Sequence, residues 1–147
     1  MERSPGEHMK PSELVKIIRR LPADQPITDA LEGRTAGGYP GPHPPYYASQ
    51  REHLIAFLGE YDSPGAYGRS TFDGSARDWY QRFQCAPGLV WLAEALGEDV
   101  DVLNAGVAAI RTAGPRAASE CAAFRRIVPW SRIEELLGRQ RTGLLRR

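Results

Sequence analysis

Proline and glycine are concentrated in residues 22–48, and this composition limits what that part of the chain can fold into. The stretch contains six prolines and four glycines. Proline fixes φ and removes a backbone donor, so neither a regular helix nor a central strand persists through such a density. A stretch of this length inside a small domain is either a packed functional loop or a linker. Its aromatic end, with Tyr39, Tyr46 and Tyr47, favours a packed loop. We call residues 22–48 the proline-rich segment.

Helical patterns occupy the chain on both sides of the proline-rich segment. Apolar residues recur at helical spacing from Leu14 to Leu21, which predicts a helix over 12–21 that stops at Pro22. Ser49 and Glu52 have the spacing of a capping box and predict a helix over 49–61. A second capping box, Ser131 with Glu134, predicts a short helix that ends at Gly138. Similar signals predict helices over 76–84 (capped by Asp73 or Ser75), 87–96 (ending at Gly97), 100–113 (opened by Asp99) and 115–127 (broken by Pro129).

These patterns predict the fold class and the domain organisation. No stretch alternates apolar and polar residues over a useful strand length, so we expect an all-α protein. The expected architecture is an irregular orthogonal bundle of six to seven short helices with a long Pro/Gly/Tyr-rich loop. A chain of 147 residues fits one domain. We predict a flexible N-terminal arm at 1–10, a helical domain over 11–138 and a basic C-terminal tail at 139–147.

The charge balance argues against a general attraction to nucleic acid or to an anionic membrane, because the net charge is only +1. The distribution is uneven, with −4 over residues 1–100 and +5 over 101–147. No apolar run has the length of a membrane span. Only Cys85 and Cys121 occur, at a spacing typical of neither a redox pair nor a zinc site. With no signal peptide in the sequence, we expect a reducing cytoplasm and two buried thiols.

Aromatic residues are the other unusual feature of the first hundred residues. Trp79 and Phe83 are one helical turn apart and, with Trp91 and Trp130, are expected in the core. Tyr80 lies on a different helix face, where we expect it beside Arg77 in an exposed patch.

No motif in the chain predicts catalysis, a metal or a cofactor. His43 and His53 lack metal-ligand spacing. Cys85 before Pro87 is a weak candidate nucleophile, since a helix start lowers a thiol pKa. The glycine-rich turn at 65–70 lacks the lysine and the length of a phosphate-binding loop. An enzyme remains one hypothesis, with an unfamiliar site built from His43, His53, Glu52, Tyr67 and Arg69.

The favoured hypothesis is a small non-catalytic cytoplasmic protein that binds another macromolecule, with a protein as the favoured partner. Rigid aromatic and arginine side chains on a stiff backbone suit such a surface, because little entropy is lost on binding. Its size and arginine bias suggest an accessory or inhibitor protein of a phage or mobile element. The alternative is a nucleic-acid-associated protein that uses Arg111, Arg116, Arg125, Arg126, Arg132, Arg139 and Arg141. The predicted partner-binding residues are Tyr39, His43, Tyr46, Tyr47, His53, Tyr67, Arg69 and Tyr80.

Overall fold

Seven helices make up the part of the chain that the computed structural model describes, residues 9–21, 50–62, 74–83, 86–114 and 117–145. No strand occurs within these ranges, so the all-α prediction is confirmed. The proline-rich segment lies outside them. The helices are α1 (Pro11–Ile18), α2 (Gln50–Tyr61), α3 (Ala76–Arg82), α4 (Ala86–Ala95), α5 (Val100–Ala113), α6 (Ala117–Ile127) and α7 (Trp130–Leu145).

Helix α4 is the centre of the bundle. All of its residues are buried except Glu94, and it packs against α2, α5 and α6. A helix that is apolar on every side is stable only when other helices surround it. The core around it contains the three tryptophans, Trp79, Trp91 and Trp130, as their spacing predicts.

Helices α5 and α6 share the most extensive contact of any helix pair in the described part of the chain. Gly106 of α5 faces the ring of Phe124 on α6, and a Cβ atom at Gly106 would lie 2.8 Å from the Phe124 Cδ2 atom. The missing side chain therefore allows the two backbones to approach around a fully buried aromatic ring.

Several predicted helix ends are confirmed. The Ser75 hydroxyl accepts a hydrogen bond from the Asp78 amide, 3.0 Å away, and so caps α3. Asp99 caps α5 by accepting from the Asp101 amide at 2.8 Å. Gly97 and Gly114 follow α4 and α5 with φ of 98° and 91°, a backbone conformation that favours glycine. The capping serine expected at residue 49 lies outside the described residues, as does Asp73.

The predicted start and end of α7 are both wrong. The helix begins at Trp130, because the Arg132 and Ile133 amides donate to the Pro129 carbonyl at 2.9 and 3.1 Å. Ser131 therefore lies inside the first turn and is not the cap. Gly138 does not end the helix, which continues to Leu145.

Contacts on both sides of Gly138 explain why α7 continues. Glycine inside a helix costs about 1 kcal/mol relative to alanine. Leu136 and Leu137 are buried just before it. Gln140, just after it, donates from Nε2 to the Leu96 carbonyl at 3.3 Å. These contacts offset the cost, so residues 139–145 are helical rather than a loose tail.

The expected flexible arm at 1–10 also needs correction at its end. Met9 is only 1% exposed, and its carbonyl accepts a hydrogen bond from the Ala76 amide at 2.7 Å. Lys10 is the N-cap residue of α1. The ordered fold therefore includes Met9, because its side chain contributes to the core and its backbone pairs with the start of α3.

Candidate partner-binding site

The two helices that border the proline-rich segment are joined at its base. Leu21 is the last described residue before the proline-rich segment, and Gln50 is the first described residue after it. Across this gap, the Arg51 Nη1 atom donates a hydrogen bond to the Leu21 carbonyl oxygen at 3.1 Å. Helices α1 and α2 also pack against each other, with Leu21 and Leu54 buried in the shared core. The described residues on either side of the segment, Leu21 and Arg51, therefore meet on a packed pair of helices.

A second link ties the far end of α2 to α3, across the gap at residues 63–73. The buried Tyr61 hydroxyl donates a hydrogen bond to the Asp78 carboxylate. Asp78 also accepts from Arg82 Nε at 2.7 Å, and the Asp78 side chain is 12% exposed. This hydrogen bond joins the described residues on either side of the 63–73 stretch.

His53 lies within an aromatic cluster and is 6% exposed. Its ring contacts Phe57 and Phe83 edge to face, with centroids 6.4 and 6.1 Å apart. Phe57 and Phe83 contact each other at 4.6 Å. The described part of the fold therefore encloses the His53 ring instead of presenting it to a partner.

Tyr80 occupies a different environment from the one predicted. The expectation of an exposed Tyr80 is wrong, because the residue has no exposed surface. Its hydroxyl donates to the Val128 carbonyl at 2.5 Å, and its ring lies 5.5 Å from that of Trp130. Burial raises the pKa of the Tyr80 hydroxyl above its usual range, with a smaller opposing effect of Arg125. Tyr80 is thus a core residue that connects α3 to the end of α6.

The other six predicted partner-binding residues lie outside the described residues, and their role stays a prediction. These are Tyr39, His43, Tyr46, Tyr47, Tyr67 and Arg69. The sequence did not predict the role of Arg51, whose side chain links the described residues on either side of the proline-rich segment. Its position in the first turn after the segment was the only available signal, since its acceptor is 30 residues earlier in the chain.

Glu52 and His53 are the two described residues of the hypothetical enzyme site, and their side chains do not point toward a common place. The Glu52 side chain is 50% exposed, whereas His53 is buried. Two consecutive residues of a helix point in directions about 100° apart, which accounts for this difference. His43, Tyr67 and Arg69 lie outside the described ranges. Among the residues that the structure does describe, no three His, Cys, Asp or Glu side chains are grouped to hold a metal ion.

Two groups outside the predicted site residues have raised pKa values. Burial raises the pKa of the Cys121 thiol to about 11, more than nearby Arg125 lowers it. A thiol of that pKa is a poor nucleophile at neutral pH. Burial also raises the pKa of Glu94, whose Oε2 atom has no hydrogen-bond partner among the described residues. Cys85 lies outside those residues.

Three of the C-terminal arginines bond to other groups of the described fold. Arg125 Nη1 donates to the Phe83 carbonyl at 3.2 Å. Arg132 pairs with Glu98 and Glu135, and Arg139 pairs with Glu135. Arg116 and the side chain of Arg141 are outside the described part. Among the described arginines of this half, Arg132 and Arg139 are therefore paired with carboxylates, whereas Arg125 bonds to a neutral carbonyl.

Comparison with protein-family models, curated protein sequences and solved structures found no match to this chain. Within the described residues, no helix combines the length and the apolar character that crossing a membrane requires.

Proposed function

We propose that this chain is a non-catalytic protein that binds another protein through the proline-rich segment and the 63–73 stretch. The contact residues in this proposal are Tyr39, His43, Tyr46, Tyr47, Tyr67 and Arg69. Tyrosine and arginine are enriched among residues that dominate binding energy, and proline lowers the entropy lost when a backbone is ordered. We also place the protein in the cytoplasm, a location that the free Cys121 thiol favours.

The observation that supports the proposal most is the hydrogen bond from Arg51 to the Leu21 carbonyl. It joins the described residues on either side of the proline-rich segment on a packed pair of helices. Recognition residues are commonly carried on loops whose ends a rigid scaffold positions. A second hydrogen bond, from Tyr61 to Asp78, joins the described residues on either side of the 63–73 stretch.

The nucleic-acid alternative receives less support from the geometry. Arg125, Arg132 and Arg139 all bond to groups of the protein itself. Binding to a nucleic-acid backbone depends on cations that are available to neutralise phosphates.

Affinity purification of the tagged chain from its native host, with and without nuclease, tests the proposal. The informative variant is Tyr46→Ser with Tyr47→Ser, and the control is Val100→Ser, which changes a side chain 65% exposed at the start of α5. We expect capture of a protein that resists nuclease. Capture should fall at least about tenfold in the tyrosine variant, because aromatic anchors contribute strongly to affinity. It should be unchanged in the control.

Two results would contradict the proposal. One is capture that disappears with nuclease treatment, which would favour the nucleic-acid alternative. The other is equal capture by the tyrosine variant and the wild type, which would remove these residues from the binding surface.

A further inference from the structure

We draw no further inference here: the strongest candidate, the exposed side of α5 that contains Val100, Asn104 and Ala108, is an unpartnered helix face, and nothing in the described part of the chain shows what covers it.

Discussion

Arg132 on α7 donates two hydrogen bonds to the buried carboxylate of Glu98, which lies in the turn between α4 and α5. The distances are 2.8 Å from Nε to Oε2 and 2.7 Å from Nη2 to Oε1. The Glu98 side chain has no exposed surface, and its Oε1 atom also accepts from the Asp99 amide at 2.8 Å. This two-bond pair joins the last helix to the centre of the bundle.

Glu98→Ala should lower the free energy of unfolding by about 1 to 3 kcal/mol, because it removes a buried, charge-assisted pair. The Arg132 side chain is 29% exposed, so it regains some solvation, which keeps the loss below that of a fully buried pair. Urea denaturation followed by tryptophan fluorescence measures the change. The control Glu135→Ala breaks exposed pairs with Arg132 and Arg139 and should cost about 0 to 1 kcal/mol. Equal losses in the two variants would show that burial of Glu98 is irrelevant.

The contribution of Glu98 should depend on pH in a defined direction. Hydrogen bonding to Arg132 lowers the pKa of Glu98, in spite of the opposing effect of burial. Because the folded pKa is below the unfolded value of about 4.3, the pair stabilises the fold fully above that pH. The contribution is lost as the pH falls through the folded pKa. The difference in unfolding free energy between wild type and Glu98→Ala should therefore be constant near neutrality and shrink in acid. A difference that grows as the pH falls would reverse the sign.

Glu94 should show the opposite dependence. Burial raises its pKa, so the folded state favours the protonated carboxyl and the charge is a penalty at neutral pH. Glu94→Gln should stabilise the protein at neutral pH, and the gain should vanish once the pH falls below about 4.3, the unfolded pKa of a glutamate. Glu134→Gln, a half-buried position on α7, serves as the control and should change stability little. Destabilisation by Glu94→Gln at neutral pH would contradict the prediction.

Gly106→Ala should destabilise the protein by about 1 to 3 kcal/mol, because the new methyl group would overlap the buried Phe124 ring. Gly59→Ala is the matched control, since it adds the same group to α2 where no atom lies within 4 Å. It should stabilise the protein by up to about 1 kcal/mol, the difference in helix propensity. Thermal unfolding of both variants measures the contrast. Two changes of the same sign would argue against the close α5–α6 contact.

Tyr80→Phe should cost about 1 to 2 kcal/mol, because it leaves the Val128 carbonyl without its buried donor. Tyr61→Phe should cost less, since its acceptor Asp78 keeps the bond from Arg82. Chemical denaturation of the two variants compares them. A loss for Tyr80→Phe no larger than for Tyr61→Phe would show that the Val128 carbonyl finds another donor.

Helix positions were mostly predictable because their signals act within a few residues. Helix α5 follows its Asp99 cap and ends before Gly114, as the sequence predicts, and Ser75 caps α3. A capping oxygen bonds to an amide two or three residues away, and a glycine with positive φ depends only on its own backbone. The burial of the tryptophans follows in the same way from apolar spacing on one helix face.

The amino-acid sequence alone determined the helical fold class, most helix boundaries and the burial of the tryptophans, because each depends on neighbouring residues along the chain. The tertiary structure alone decided that Tyr80 is enclosed, that α7 continues past Gly138 and that Arg51 closes the base of the proline-rich segment. Tyr80 depends on a carbonyl 48 residues away, and Arg51 on one 30 residues away. Whether an amphipathic side chain meets a distant backbone acceptor or water depends on how the helices pack, and no local pattern encodes that distance.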